Sequence, residues 1–489
     1  MHIFSKKPKI RLRLAPSPTG FLHIGNLRGA LFAYLLTKKW DGKLILRIED
    51  TDQKREVEGA VASLLKILDW TGIKFDEGPT IGGKYGPYIQ SKRIGIYQKH
   101  AEILLKSGAA YKCFCSEARL EKLRAEQTAN KLAPRYDRAC RDLSPEEVEL
   151  KIKAGASFVI RQKMPLEGEV KVFDELRGEI KFPANDLEDQ VLVKSNGVPT
   201  YQLANVVDDH LMKISHVTRG DEWLPSYPKN ILLYQTFGWT APKFIHLPLI
   251  LNKEGGKLSK RQGDIFVENY KDQGYLPEAL INFCALLGWH PKTEQEIWTL
   301  KDLAKAFDLK GLGISPAVFD LDKLDYFNGY YIRQKSIKEL AELCRPYIEA
   351  VGKTVNDSDL EKIVILAQER LKKLSDIVEL SAFILNDKIN YARELLIWKE
   401  ISGAEVKTNL ITIKTELEKI PEAKWTIKDL ESIIVAYLKD NSLKVGNYLW
   451  PLRVALTGEK NSPSPFEVAF ALGKARSLAR IKEAIELWS

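Results

Sequence analysis

Little in the sequence marks an exported, membrane-spanning or disulfide-bonded protein. Its 489 residues include five cysteines, three of them within residues 113–140, and this usage favours metal chemistry in a reducing cytosol over a disulfide framework. Residues 1–9 hold no apolar signal segment, and no run of about 18 apolar residues occurs that would span a membrane. We therefore expect a cytoplasmic protein that has no contact with a membrane.

Other common signatures are also missing. The sequence has no G-x-G-x-x-G fingerprint, no internal repeat and no low-complexity tract, so the most common dinucleotide-binding motif is excluded. A chain of 489 residues is too long for one core, and its length predicts about three domains. The net charge of +9 permits a polyanionic partner without requiring one.

Residues 13–26, with the sequence RLAPSPTGFLHIGN, lie between a predicted strand and a predicted helix. The alternation of apolar and basic residues over 10–14 predicts the strand, and helical spacing up to residue 40 predicts the helix. A helix N-terminus that follows a glycine-containing loop offers N–H groups and positive dipole to a phosphate. His23 and Asn26 add side-chain donors, and Gly25 leaves room for a flat base. The alternative is a structural joint with an incidental histidine.

A second segment, residues 255–261 with the sequence GGKLSKR, strengthens the functional interpretation of the first segment. Alone, a lysine-rich loop is usually a solvated turn. Together the two segments resemble the HIGH and KMSKS signatures of class I aminoacyl-tRNA synthetases. The sequences of residues 16–26 and of residues 47–52, RIEDTD, resemble those of bacterial-type glutamyl-tRNA synthetases. The chain departs from these signatures at two points: Asn26 replaces the last histidine of HIGH, and KMSKS becomes KLSKR. Both departures are minor, because the polar groups that would face the triphosphate are kept.

The resemblance implies ATP-dependent attachment of L-glutamate to the terminal adenosine of tRNA(Glu) through a glutamyl-adenylate, with Mg²⁺ on the phosphates. His23 and Lys260 would stabilise charge in the reaction. The residues that would bind glutamate are Arg13, Ala15, Ser17, Glu49, Tyr201, Asn205 and Arg219. Those that would bind ATP are His23, Gly25, Asn26, Glu222, Trp223, Lys257, Leu258 and Lys260. Guanidinium groups suit the two carboxylates of glutamate, with Arg13 assigned to the side-chain carboxylate and Arg219 to the α-carboxylate.

From spacing alone, the acidic residues that follow the second predicted strand, residues 43–48, fit two interpretations. They can meet a ligand at a strand's carboxyl end or cap the next helix from a solvated loop. The resemblance favours the ligand for Glu49. Single Tyr, Asn or Arg residues at the other positions would otherwise be packed or capping residues.

Cys113, Cys115 and Cys140 offer three thiolates, one ligand short of a closed tetrahedral zinc site. Without further information, buried free thiols are the alternative. In the resembled family some members hold one structural Zn²⁺ with this spacing, completed by a tyrosine or by a residue two positions past the third cysteine. In this chain those residues are Tyr136 and Asp142, and the choice between them stays open.

The expected fold is a doubly wound, Rossmann-like α/β catalytic domain with an inserted α+β subdomain, followed by all-α domains. We expect the sheet to resume at residues 199–210 and 217–223, and a helix to open at Ser315-Pro316. The expected domains are 1–110 and 198–262 (catalytic), 111–197 (acceptor-end-binding insert with the zinc site), 263–335 (helical stem contact) and 336–489 (anticodon binding).

The helical C-terminal region separates this chain from glutaminyl-tRNA synthetases, which end in β-barrels, and from a short relative that lacks the region. On a predicted helix of this region, Arg370 matches an arginine that reads the third anticodon base in family members that discriminate glutamate tRNA from glutamine tRNA. By spacing alone, Arg370 would be a solvated charge. A zinc-containing RNA-binding protein with a degenerate site is the alternative from another class. We expect a monomer.

Overall fold

A computed structural model describes residues 10–256, 258 and 265–488. The chain divides into two compact units. Unit 1 contains the described residues up to Asp272 together with Pro277–Leu324, and unit 2 contains Gln273–Leu276 and the described residues from Asp325 onward. In the described part of the chain, no helix is both long and apolar enough to cross a membrane.

The strands all belong to unit 1. They are β1 (Arg11–Leu14), β2 (Lys43–Leu46), β3 (Ala110–Cys113), β4 (Val159–Gln162), β5 (Glu169–Asp174), β6 (Gly178–Pro183), β7 (Val191–Val193), β8 (His216–Gly220), β9 (Lys243–Leu247), β10 (Ile250–Leu251) and β11 (Ala317–Val318). β1 pairs with β2, and β8 pairs with β9, in parallel. The backbone N–H of Ser215 donates to the carbonyl of Arg11 at 2.9 Å and so links β1 to the start of β8. The order β2, β1, β8, β9 is that of a doubly wound sheet.

Helices connect these strands. In unit 1 they are α1 (Ile24–Lys39), α2 (Ala60–Trp70), α3 (Ile94–Lys106), α4 (Glu117–Ala129), α5 (Pro145–Lys153), α6 (Tyr201–Leu211), α7 (Tyr227–Thr236), α8 (Val267–Asp272), α9 (Pro277–Leu286) and α10 (Leu300–Ala306), and α11 (Leu321–Arg333) runs into unit 2. The buried apolar residues of α1 include Leu27, Leu31 and Leu35, which recur at the helical spacing that the sequence showed. The doubly wound catalytic fold is confirmed.

The insert between the two halves of the sheet is α+β, as expected. β3, β4 and β7 form a three-stranded sheet, and β5 pairs with β6 in an antiparallel hairpin. The hairpin joins the main sheet, because Asp174 at the end of β5 pairs with Phe244 of β9. The sequence did not predict β6, whose residues alternate between half-buried and exposed.

In unit 2 the described residues from Asp325 onward form helices and no strand. After α11 these are α12 (Ile337–Ala350), α13 (Asp357–Ala367), α14 (Ile377–Leu380), α15 (Ala382–Leu385), α16 (Gly403–Lys419), α17 (Ile427–Asp440), α18 (Val445–Thr457), α19 (Pro465–Leu472) and α20 (Lys474–Glu486). Capping boxes fix the starts of α16 and α19: Ser402 pairs with Glu405, and Ser464 with Glu467. The all-helical C-terminal region is confirmed.

Three local expectations are wrong. Residues 201–211 form α6 and not a strand; residues 203–209 are all buried, so their apolar pattern shows no period that would separate the two. Residues 315–316 precede the short strand β11, which pairs with β10, and the helix begins only at Leu321. Arg370 is exposed in the turn after α13, which ends at Ala367.

Candidate active site

The carboxyl ends of the parallel strands bring the predicted glutamate residues together. Arg13 is on β1, Glu49 follows β2, and Arg219 is on β8, so these side chains meet at one edge of the sheet. Beside this edge is a cavity of about 780 Å³. Twelve residues predicted from the sequence line it: Arg13, Ala15, Ser17, His23, Gly25, Asn26, Glu49, Tyr201, Arg219, Glu222, Trp223 and Leu258.

Three predicted residues are not among them. Asn205 is buried on α6, where its side-chain amide donates to the carbonyl of Tyr201 at 2.6 Å, so it supports the helix that carries Tyr201. Lys257 and Lys260 lie outside the described residues. Two described residues close to them in sequence make hydrogen bonds: Gly256 N–H donates to Oδ1 of Asn252 at 2.8 Å, and Leu258 N–H donates to Ile250 O at 3.2 Å.

His23 is the N-cap of α1. Its Nδ1 accepts a hydrogen bond from the backbone N–H of Gly25 at 2.9 Å, so the neutral ring carries its proton on Nε2. A Cβ on Gly25 would lie 3.2 Å from that Nδ1, closer than a side chain packs comfortably. The capped helix start therefore presents an imidazole donor and backbone N–H groups to the cavity, which suits a phosphate.

A network of buried charges forms the floor of the cavity beneath Arg13. Asp209 accepts from Nε and Nη2 of Arg13 at 3.2 and 3.3 Å and from Nη1 of Arg47 at 2.7 Å. Arg47 also donates to Oε1 of Glu49 at 2.8 Å. Burial opposes the charge of Asp209, but Arg13 and Arg47 outweigh it and hold its pKa below the ordinary value. Burial is the stronger effect at Glu49, and it raises the pKa of that carboxyl.

The network continues behind the cavity through Asp208, which accepts from Arg93 at 2.7 Å and from Tyr97 at 2.7 Å. Counted together, the buried cations and anions are equal in number: Arg13, Arg47 and Arg93, with Glu49, Asp208 and Asp209. The sequence analysis did not assign Arg47, Arg93, Asp208 or Asp209 to the site. The adjacent pair Asp208-Asp209, directly after the apolar residues Val206 and Val207, was the available signal, since buried carboxylates need partners.

Arg219, which also lines the cavity, has a different set of partners. It donates to Nε2 of His246 at 2.9 Å, to Oδ1 of Asn230 at 3.2 Å and to the carbonyl of Trp223 at 3.4 Å. Within the described part of the chain, no carboxylate lies within ion-pair distance of Arg219. Burial lowers the pKa of Arg219, so a carboxylate bound in the cavity would relieve an unfavourable charge.

The wall next to Arg219 is aromatic. The rings of Tyr201 and Trp223 lie 4.4 Å apart, and both also line a second cavity of about 450 Å³ that extends toward the insert. The second cavity carries the basic residues Arg124, Arg135, Arg161 and Lys229. A basic cavity that shares an aromatic wall with the first suits the end of a single nucleic acid strand.

The three cysteines of the insert lie together, as predicted. The Sγ atoms of Cys113, Cys115 and Cys140 are all within 4.8 Å of one another, and those of Cys115 and Cys140 are 3.5 Å apart. The phenol oxygen of Tyr136 lies 3.2 Å from the Sγ of Cys113 and 3.7 Å from that of Cys115. Zinc–sulfur bonds of about 2.3 Å require sulfurs separated by roughly 3.8 Å, so this donor set fits a tetrahedral zinc ion.

Nearby groups help the cluster to carry negative charge. Burial raises the pKa of Cys113, but hydrogen bonds from Tyr136, the Cys115 backbone and Arg161 outweigh it and leave the pKa below the ordinary value. Burial raises the pKa of Cys115 to about 11. The guanidinium of Arg161 stacks over the Tyr136 ring at 3.9 Å. Asp142 is exposed and is not part of the cluster of candidate ligand atoms.

A parallel sheet that sets a capped helix start beside convergent arginines, with a basic cavity next to it, defines an enzyme that activates a carboxylate with a nucleotide. Comparison with known proteins agrees. Residues 9–326 match the catalytic domain of class I tRNA synthetases (E and Q), and residues 339–485 match an anticodon-binding domain. The chain therefore belongs to the class I tRNA synthetase family.

Individual relatives match over nearly the whole length. The glutamate--tRNA ligases of Clostridium novyi and Borrelia duttonii are each 45% identical to this chain, covering 98% and 97% of it and 98% and 95% of their own lengths. A crystal structure of a glutamate tRNA ligase from Elizabethkingia meningosepticum in complex with its amino acid is 36% identical. It has a TM-score of 0.88 and covers 98% of this chain and 99% of its own.

Proposed function

We propose that this chain attaches L-glutamate to the 3′-terminal adenosine of tRNA(Glu) through a glutamyl-adenylate. One observation carries the proposal: two buried arginines, Arg13 and Arg219, line one cavity with the phosphate-suited start of α1. Glutamate has two carboxylates, and guanidinium is their bidentate partner. The names of the relatives support this choice of amino acid.

In the first step, the α-carboxylate of glutamate attacks the α-phosphorus of ATP, which carries Mg²⁺, and pyrophosphate leaves as its bond to that phosphorus breaks. Arg13 holds the side-chain carboxylate and Arg219 the α-carboxylate, with Ala15, Ser17 and Tyr201 completing the glutamate site and Asn205 supporting the helix that carries Tyr201. Glu49 contacts the amino acid substrate. His23 and Lys260 stabilise the charge that develops on the phosphates. Gly25, Asn26, Glu222, Trp223, Lys257 and Leu258 complete the ATP site.

In the second step, the 2′-hydroxyl of the terminal adenosine attacks the activated carbonyl, and AMP leaves. The basic second cavity, which shares Tyr201 and Trp223 with the first, is the route we assign to the acceptor end. No side chain of the described cavity is arranged as a nucleophile that would form a covalent intermediate. Positioning and charge stabilisation therefore supply most of the rate.

The remaining assignments belong to the same proposal. Cys113, Cys115, Cys140 and Tyr136 would hold one structural Zn²⁺, which shapes the insert and takes no part in the chemistry. The domain boundaries given from the sequence stay as proposed, with 263–335 contacting the tRNA stem and 336–489 the anticodon. We propose a monomer that acts in the cytoplasm.

The test is ATP–pyrophosphate exchange and tRNA charging with each amino acid in turn, in the presence of tRNA. We expect activity with glutamate, and we expect Lys260→Ala to lower kcat by at least about tenfold, or ~1.4 kcal/mol of transition-state stabilisation. Wild type without exchange would favour an RNA-binding protein with a degenerate site. A variant that changes only the KM for ATP would contradict the role of Lys260.

We further propose that Arg370 restricts charging to glutamate tRNA. The third anticodon base is cytosine in glutamate tRNAs and guanine in glutamine tRNAs, and arginine donates hydrogen bonds only. Cytosine presents acceptors on its Watson–Crick edge, where guanine presents mostly donors. The exposure of Arg370 in a turn leaves it accessible to a splayed loop.

Arg370→Gln, which can donate and accept, should reduce the preference in kcat/KM for glutamate tRNA by about 1–3 kcal/mol. Arg393→Gln, a change of an exposed arginine elsewhere in unit 2, is the matched control and should leave the preference unchanged. Comparable charging of both tRNAs by wild type would contradict the assignment.

A further inference from the structure

Two buried arginines face the same cavity, and they differ in what surrounds them. Arg13 is held by the carboxylate of Asp209 through two nitrogens. Arg219 is held by an imidazole, an amide and a carbonyl, and the phenol of Tyr201 also acts on it. All four of these groups are uncharged, since burial raises the pKa of the Tyr201 phenol further above neutrality. Arg219 is therefore fixed in place without losing its charge to a partner.

The imidazole is that of His246, which is completely buried. Arg219 and His246 are register partners in the parallel pair β8 and β9, so the ladder places their side chains next to each other. Nε of Arg219 is a donor, and the contact of 2.9 Å therefore requires Nε2 of His246 to be an acceptor. The ring proton must then be on Nδ1.

Asp174 fixes that tautomer. Its Oδ2 lies 2.8 Å from Nδ1 of His246 and accepts the backbone N–H of the same residue at 3.0 Å. Its Oδ1 accepts from the N–H groups of Leu176 and Arg177 at 3.0 and 3.1 Å. With both oxygens committed, the carboxylate cannot turn away, and the ring is held with its acceptor nitrogen toward Arg219.

We propose that His246 is a positioning residue, oriented by Asp174, that aims Arg219 at a carboxylate of the substrate while leaving the arginine's charge for that carboxylate. The inference rests on the proposed function. A carboxylate in place of the imidazole would orient the guanidinium equally well, but it would form an ion pair with Arg219 and compete with the substrate carboxylate. A hydrocarbon in its place would leave the charge but not the orientation. Neutral imidazole does both.

The test compares two substitutions at the same position. His246→Phe keeps a ring between Tyr227 and Phe244, whose centroids are 4.9 and 6.0 Å away, and removes the acceptor. His246→Gln loses the ring but keeps an acceptor oxygen near Nε2. We expect the Phe variant to raise the KM for glutamate at least about tenfold, with the KM for ATP within about twofold. We expect the Gln variant to recover most of that loss.

The pH dependence gives a readout that packing alone would not change. Burial lowers the pKa of His246, and so do the charges of Arg219 and Arg177, although Asp174 raises it; the net pKa is below 6.5. As the pH falls toward that value, the ring gains a second proton and stops accepting from Arg219, so the KM for glutamate should rise in wild type. His246→Gln should lack this rise. Asp221, whose pKa is raised to about 6 by burial, is present in both proteins, so its titration does not contribute to the difference between their pH profiles.

Tyr227→Phe is the matched control, because it removes a buried hydrogen bond of 2.6 Å to Phe173 O from the same wall without touching Arg219's acceptors. It should leave the KM for glutamate unchanged. Equal losses in the Phe and Gln variants, an equal rise in both KM values, or a wild-type pH profile in the Gln variant would overturn the inference. Wild type that does not use glutamate would instead overturn the proposed function.

Discussion

The floor of the main cavity and the thiol cluster of the insert are both built from buried ionisable groups. The floor combines cations with anions, whereas the cluster contains only groups that become negative when they ionise. In the floor of the cavity three cations, Arg13 among them, and three anions each lie within hydrogen-bond distance of an opposite charge. In the insert three thiols and a phenol converge on one point. In the floor of the cavity, each buried charge already has an opposite charge that offsets its loss of water. The thiolates of the insert would repel one another, and a bound cation would supply the opposite charge.

Removing one cation from the floor of the cavity should have the largest effect. Arg47 is 0% exposed and serves Glu49 and Asp209 together. Arg47→Met fills the volume but leaves the buried Glu49 without a cation and Asp209 with Arg13 alone, and we expect a loss of about 3–5 kcal/mol in the free energy of unfolding. Urea denaturation measures it. Lys74→Met, which breaks an exposed ion pair with Asp69, is the control and should cost less than about 1 kcal/mol. Similar losses in both variants would contradict the charge network.

Removing the cation from the insert should come next. We expect one zinc per chain after purification under metal-replete, reducing conditions, and zinc at a hundred times its Kd stabilises a folded site by about 2.7 kcal/mol. A strong chelator should lower the unfolding free energy by that amount. Cys140→Ser should abolish zinc retention, while Cys344→Ala, a buried thiol in unit 2, should not affect it. A purified chain that holds no zinc would contradict this prediction, because the thiol cluster would then be stable without a bound cation.

A finer substitution identifies the fourth ligand. The Tyr136 oxygen lies within 3.7 Å of two of the sulfurs, and Asp142 is exposed. Tyr136→Phe should therefore weaken zinc binding at least about tenfold, the usual cost of losing a group that supports a metal site. Asp142→Asn should leave the affinity unchanged. Competition with a chromophoric chelator measures both, and the reverse order would assign the ligand to Asp142.

The smallest effect on stability is expected at Glu49. Its folded pKa is raised, mainly by burial, so the folded chain binds this proton more tightly than the unfolded chain does. Its stabilising contribution thus grows as pH falls toward the raised pKa. Asp209 has a lowered pKa. Its contribution to stability is present above the pKa of an ordinary aspartate and is lost as the pH falls through the lower pKa of the folded state.

Two substitutions test these directions. At pH 7, Glu49→Gln should change the free energy of unfolding by less than about 1 kcal/mol and should raise the KM for glutamate. Asp209→Asn should lower the free energy of unfolding by more than Glu49→Gln does. The opposite ranking in urea titrations would be evidence against these pKa directions.

Local patterns predicted the elements that carry the site. Alternation identified β1, helical spacing identified α1, and the spacing of three cysteines placed the thiol cluster, which the structure confirms. One error arose where the sequence has no clear period: residues 203–209 of α6 are all buried, so neither strand alternation nor helical spacing could be read from their apolar pattern.

The partners of the site residues could not be predicted in the same way. His246 pairs with Arg219 across a strand register and with Asp174, which lies 72 residues earlier. Register is set by the packing of the whole sheet, so no window of sequence contains it. Asp209 likewise meets Arg13 at a separation of 196 residues. The sequence therefore predicted residues that line the cavity and missed those that hold them in place.

The sharing of Asp209 between two arginines has a consequence for how such proteins diverge. Asp209 pairs with Arg13 and with Arg47, and Arg47 also pairs with Glu49. A substitution of Asp209 or Arg47 therefore disturbs two buried partners, and an acceptable replacement needs two or three changes at once. Exposed pairs such as Lys74 with Asp69 can drift one residue at a time. Across generations, we therefore expect the floor of this cavity to change in rare, grouped steps while the surface around it changes steadily.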